Sequence, residues 1–129
     1  GSLMITYSGE VQLYRSTQFD RNIFRTFGIT SGSNVNEEFS TSIDLREAPF
    51  PTYPIAVVSP NITLIKFAVI NVTGGEATIR LVNEGTSYNS IDTVLRGSMI
   101  LSGVTLTQIL VINHLTPCFI ECVGAGIRE

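Results

Sequence analysis

The chain has no tryptophan, and among its 129 residues it has one lysine, Lys66, and one histidine. Its basic residues are scattered, and only Arg15, Arg21 and Arg25 stand close together. The basic stripe with which proteins displace counterions from nucleic acid is therefore missing. No apolar run approaches the roughly 18 residues that a membrane-spanning helix needs. We expect neither a nucleic-acid partner nor a membrane span.

Sequence motifs of catalysis and cofactor binding are also missing. There is no glycine-rich phosphate loop and no G-x-S-x-G nucleophile elbow. Neighbouring Glu37 and Glu38 would point to opposite faces of a strand, so adjacency gives no glycosidase-like carboxylate pair. We predict no catalytic residue and no cofactor, and we expect the single histidine, His114, to bond local backbone in a turn.

Two cysteines, Cys118 and Cys122, lie near the end of the chain. In an extended segment their Cα atoms would be about 13 Å apart, too far for a disulfide between them. Together with His114 they are zinc-ligand types, but three ligands stretched along one strand span more than a zinc shell. We predict buried free thiols, with cysteines of other chains as partners as the alternative, and no metal site.

The residues that are abundant favour strands. Isoleucine, valine and threonine dominate, alanine and glutamine are scarce, and serine, asparagine and glycine supply turns. Extended runs recur at a spacing of about 8–12 residues, which is typical of a sandwich or barrel. We predict an all-β fold, an antiparallel, jelly-roll-like β-sandwich of about eight to ten short strands. Residues 1–129 would form one domain, with residues 1–3 expected as a cloning remnant.

Several segments indicate how the strands are arranged. In Phe39–Arg46, apolar and polar residues alternate, which predicts a strand with one wet side. In Ile62–Val72 both faces are apolar, so this strand should be central and covered on both sides. Thr73-Gly74-Gly75 and Ser102-Gly103 predict β-hairpins. The proline-rich segment Ala48–Pro54 predicts an ordered loop or a crossover between strands.

Candidate binding residues are aromatic or basic. Tyr53 and Tyr88 fall in predicted loops, where an exposed ring is a platform for a sugar; the alternative is that tyrosines cap the core. Arg15, Arg21 and Arg25 surround a polar loop with one aromatic residue, and they would contact an acidic ligand or partner. The alternative is a solvated face with a local Arg–Asp pair.

The C-terminal half has a recognisable order of segments: a strand, a short polar hairpin, a glycine turn and two long apolar strands. The segments that carry it are Ala77–Thr86, Arg96–Ser98, Leu106–Asn113 and Phe119–Gly124. In this order the chain resembles the jelly-roll subunits of bacterial endospore appendages, and the TNF-like or C1q-like trimeric tips of spore-surface and phage fibres. The resemblance implies a homo-oligomer, with a trimer favoured, at an extracellular, cell-surface or virion location. The sequence does not include the N-terminal cysteine-bearing connector of the appendage subunits, so covalent linkage between subunits is not among the properties that we carry over from the resemblance.

Three functions are compatible with these features. The first is a non-enzymatic assembly or adhesion protein, a self-associating jelly-roll subunit of a surface fibre, virion or spore layer. The second is a module that binds a glycan, a peptide or a surface receptor through loop tyrosines and arginines. The third is an enzyme acting on carbohydrate. The missing catalytic motifs favour the first.

Overall fold

The computed structural model describes residues 4–30, 34–83, 85 and 89–129, and these residues contain strands but no helix. The strands are β1 (Ser8–Ser16), β2 (Arg21–Thr30), β3 (Glu37–Leu45), β4 (Ile55–Ala56), β5 (Ile62–Asn83), β6 (Ser90–His114) and β7 (Cys118–Arg128). β1 and β2 form a two-stranded ribbon, and the other five form one curled sheet in the order β3-β7-β5-β6-β4. Paired residues run in opposite directions throughout, so the prediction of an antiparallel, sandwich-like all-β fold is confirmed.

Two strands are much longer than the short strands that the sequence predicts: β5 has 22 residues and β6 has 25. β5 runs through the glycines at which we predicted a hairpin. Val72 is flanked by Gly97 and Ile120, and Ala77 by Leu95 and His114, so the two halves of β5 do not pair with each other. The hairpin predicted at Thr73-Gly74-Gly75 is therefore wrong.

Glycine is required where β5 turns. Gly74 has a φ of 83°, a backbone conformation that other residues rarely adopt. At Gly75 an added Cβ would lie 2.3 Å from the Pro117 carbonyl oxygen, so only glycine fits. Before this turn β5 pairs with β7 on one side, and after it β5 pairs there with the second half of β6. A strand that changes partners at a bend in this way curls the sheet around its core.

β6 also extends past a predicted turn. Gly97–Ser102 pair with Phe67–Val72, and Ser90–Leu95 pair with Ala77–Val82. The residues from Leu106 to His114 pair mainly with the other side of the second half of β5. The structure therefore has one strand, with Gly103 at a φ of 69°, where we predicted two strands joined by a hairpin. Both halves take partners from β5, which explains why β5 lies at the centre of the sheet.

The core lies on one face of the curled sheet. Alternation in β3 buries Phe39 and Leu45 and exposes Ser40, Ser42 and Asp44, as predicted. The central position of β5 is also confirmed, and its core face includes fully buried Ile65, Ile70 and Ile79. Burial of such side chains contributes roughly 1.5–3 kcal/mol each.

The outer face of β5 differs from the prediction. We expected both faces of Ile62–Val72 to be covered, yet Phe67 and Val69 on the outer face are only half-buried. Tyr7 stacks on Phe67 with ring centroids 6.4 Å apart, and it covers one end of this face. The rest of the apolar outer face is open to solvent in the single chain.

The proline-rich segment is a connection, as predicted. It lies between β3 and β4, the two outermost strands of the five-stranded sheet, and therefore crosses from one edge to the other. Before β1, the described residues contribute an isolated bridge between Ile5 and Val35.

Candidate functional site

The residues that we weighed as metal ligands, His114, Cys118 and Cys122, do not form a metal site in the part of the chain that the structure describes. Within it, no three His, Cys, Asp or Glu side chains lie together as metal ligands. Cys118 and Cys122 are free and buried, which confirms that prediction. Burial raises the pKa of the Cys122 thiol to about 12, so it stays protonated and unreactive.

His114 and Tyr53 form a small aromatic cluster at the end of β6. The Tyr53 hydroxyl is hydrogen-bonded to Nδ1 of His114, and the Phe50 ring lies 4.5 Å from the imidazole. We predicted that His114 would bond local backbone; it bonds a side chain from the proline-rich connection instead. Tyr53 is half-buried against the core rather than exposed, and burial raises its pKa.

The structure thus holds Tyr53 as a packed residue, whose ring is not the exposed platform that we expected for a sugar. Tyr88, the other tyrosine predicted to bind, lies outside the described residues. The role of both in binding stays a prediction.

The three predicted arginines come together on the β1–β2 ribbon, which we call the arm (Ser8–Thr30). Its two strands are joined by a turn closed by Thr17 and Asp20. The arm is exposed along nearly its whole length, and Phe19 at its tip is 87% exposed. Its described contacts with the five-stranded sheet are few and include the bond from the Ser102 hydroxyl to the Thr30 carbonyl oxygen.

One face of the arm is apolar. Residues opposite each other in an antiparallel pair share a face, so Val11 and Phe27 lie on the same side as the next pair, Leu13 and Arg25. The opposite face at this level carries polar residues such as Gln12 and Thr26. The arm therefore has the alternation of a strand that is buried on one side, although that side is exposed here.

Each arginine of the arm lies over an aromatic ring of the arm. Arg15 is 5.1 Å from the centre of the Phe24 ring, Arg21 is 4.2 Å from that of Tyr14, and Arg25 is 4.7 Å from that of Phe27. The Arg–Asp pair that we considered does not form, since every ion pair among the described residues lies outside the arm. Such contacts hold guanidinium groups beside apolar surface while their charge remains available.

A second exposed apolar surface lies on the outer face of the five-stranded sheet. Val123, Val69 and Ile100 stand directly opposite one another on β7, β5 and β6. Val123 and Ile100 are 44% and 42% exposed. We call this row the outer stripe; Phe67, two residues from Val69, extends it toward Tyr7.

Carboxylates flank the outer stripe. Glu121 lies two residues from Val123 on the same face of β7, and within the described residues it makes no hydrogen bond or ion pair. Beyond Phe67, a hydrogen bond with Glu38 raises the pKa of Tyr7 to about 12. The arm carries three arginines and two acidic residues, so its net charge is +1. The whole chain has a net charge of −3, so the rest of the chain has −4.

Sequence reasoning found the arginines but missed the apolar residues beside them. Arg25, Phe27 and Ile29 alternate with polar or small residues at a period of two, the signal of a strand with a mixed basic and apolar face. A β-bulge at Phe24 interrupts this period and places Ile23 opposite Tyr14, on the other face. The same period marks a core strand, so the pattern alone does not show that this face is exposed.

Comparison with known proteins does not assign the chain to a family. It matches no family model, no curated protein and no solved structure at a significant level. No helix capable of crossing a membrane is present in the described residues.

Proposed function

We propose that the chain is a non-enzymatic structural or adhesion subunit that self-associates, with the arm as its main contact. The observation that carries this proposal is the exposed apolar face of the arm, where Leu13 and Phe27 are 43% and 42% exposed. Single exposed apolar residues are common on protein surfaces, but a contiguous apolar patch is typical of an interaction site.

The physical cost of the arm supports the same proposal. A two-stranded ribbon in water is marginally stable, because each strand has one partner and neither face excludes water. Ordering its backbone costs roughly 1–2 kcal/mol per residue. A partner that covers the apolar face would recover hydrophobic free energy, and a second copy of the chain is available wherever the first is.

The setting of this assembly comes from the resemblance of the C-terminal half to trimeric fibre tips and appendage subunits. It supports a trimer as the form of the homo-oligomer, and an extracellular, cell-surface or virion layer as its place. The interfaces between copies in a cyclic trimer would be head-to-tail, and a head-to-tail contact that does not close into a ring continues as a fibre.

The experiment is light scattering on the purified full chain over a range of concentrations, beside two variants. Phe24→Ser removes an exposed ring from the arm, and Leu115→Ser removes an equally accessible apolar residue from the β6–β7 turn. We expect the wild-type chain and Leu115→Ser to form the same oligomer, and Phe24→Ser to shift toward the monomer. A wild-type chain that stays monomeric at every concentration would overturn the proposal.

A further inference from the structure

The outer stripe is an unusual surface for the solvent side of a sheet. Antiparallel sheets that pack on one side normally present polar residues on the other. Here Val123, Val69 and Ile100 stand in register across three strands, and directly opposed residues have Cβ atoms about 4.5–5.5 Å apart. They therefore form a continuous apolar surface, and no layer of the described chain covers it.

The stripe has a charged neighbour at a defined distance. Glu121 stands two residues from Val123 on the same face of β7, about 7 Å away along the strand. Asn71 and Ser42, its neighbours across the sheet, are uncharged. Asp44, diagonal to Glu121 on β3, is already paired with Arg46. The Glu121 carboxylate is thus an exposed, unpaired negative charge beside apolar surface among the described residues.

The apolar face of the arm has the matching pattern with the opposite charge. Phe27 and Arg25 are two residues apart on one strand and share a face, so their Cα atoms are separated by the same strand repeat. The Arg25 guanidinium lies over the Phe27 ring, 4.7 Å from its centre, so charge and apolar surface adjoin. Leu13, opposite Arg25, adds a further apolar contact on that face. One surface offers a valine with a carboxylate, and the other offers a phenylalanine with a guanidinium, at equal spacing.

We infer that the apolar face of the arm of one copy packs on the outer stripe of a second copy, with Arg25 of one chain paired to Glu121 of the other. This inference rests on the proposed self-association and names its interface. Two apolar faces of opposite charge would stack as sheets do, about 10 Å apart. The ion pair lies at the edge of the apolar contact, where it fixes register and orientation.

A second copy is the occupant because the complementary charges belong to the same sequence. The arm has a net charge of +1 and the remainder of the chain −4, so arm and body attract between copies. The contact also explains why the outer face of β5 is apolar: it is a central strand covered on both sides once the assembly forms.

The test is a charge-reversal cycle measured by sedimentation equilibrium of the full chain. Arg25→Glu and Glu121→Arg each bring like charges together, and each should weaken association by about tenfold or more. The double variant restores opposite charges in exchanged positions and should regain most of the lost affinity. Both residues are exposed, so urea midpoints should confirm that all variants keep the fold.

The matched control is Thr26→Glu, which adds a negative charge next to Arg25 but on the polar face of the arm; it should leave association unchanged. If the chain assembles but the two reversals add without recovery, or Thr26→Glu weakens association as much, the inferred interface is wrong while self-association stands. A wild-type monomer overturns both. A monomer that binds anionic lipid vesicles through Arg25 would also overturn both, and would assign the arm to a membrane surface.

Discussion

The arm and the five-stranded sheet are built from similar strand sequences, yet one is almost entirely exposed and the other encloses the core. Ile79 on β5 is fully buried, whereas Ile23 on β2 is 59% exposed. Both sit in strands in which apolar and polar residues alternate. The difference shows that the sheet can be stabilised within one chain, while the arm needs contacts that one chain does not supply.

The largest expected effect is the difference in stability between variants at these two isoleucines. Ile79→Ala removes a side chain from the centre of the core and should lower the free energy of unfolding by about 2–5 kcal/mol, because the cavity fills only in part. Ile23→Ala removes an exposed side chain and should change it by less than about 0.5 kcal/mol. Urea unfolding of dilute protein measures both, and equal losses would show that the arm is part of the core.

Two glycines give a comparison of intermediate size. An added Cβ at Gly124 would lie 2.1 Å from the Phe67 carbonyl oxygen, whereas at Gly28 in the arm nothing lies within 4 Å. Gly124→Ala should destabilise the fold by about 1–3 kcal/mol or more through overpacking of the sheet. Gly28→Ala should be neutral or stabilising by about 0.4–1 kcal/mol, because it restricts the unfolded chain. Thermal unfolding of both variants at one protein concentration measures the two effects. A larger loss of stability in Gly28→Ala than in Gly124→Ala would contradict the structure.

The smallest expected effect concerns the thiols. Cys118 and Cys122 should resist a thiol reagent in the native chain, while a thiol placed on the arm by Ser16→Cys should react at once. The raised pKa of Cys122 means that its contribution to stability is complete below its usual pKa of 9.0 and is lost as the pH rises toward about 12.

To test the pH effect, the free energy of unfolding is measured between pH 9.0 and about pH 12 for the wild-type chain and for Cys122→Ala, and its slopes against pH are compared. The slope should become shallower in the variant. An unchanged slope would show that the thiol ionises as readily in the folded chain as in the unfolded one.

The sequence predicts which residues form strands better than which strands become neighbours. Alternation in Phe39–Arg46 and the apolar run Ile62–Val72 correctly indicate a strand with one wet side and a central strand. The glycines at 74 and 75 indicate a turn, but the sequence does not determine whether the strands on either side of a turn pair with each other. In β5 they do not, since neighbours distant in sequence already occupy both sides of Val72 and Ala77.

The candidate interface was predictable only in part, and for a related reason. Composition and position identify the arginines, but periodicity cannot distinguish an apolar face that meets its own core from one that meets another chain. Phe27 and Val69 have the pattern of core residues. Only the coordinates show that Phe27 is exposed and that Val69 is half-buried on the outer face.

The most direct test of the account removes the arm and leaves the sheet. Ser8 and Thr30 are paired residues, so a two-residue Asn-Gly turn can join them in place of residues 9–29. Circular dichroism and light scattering would then compare this shortened chain with the full one at equal concentration. The account predicts a folded β protein that is monomeric where the full chain is an oligomer; a shortened chain that assembles as the full chain does would contradict it.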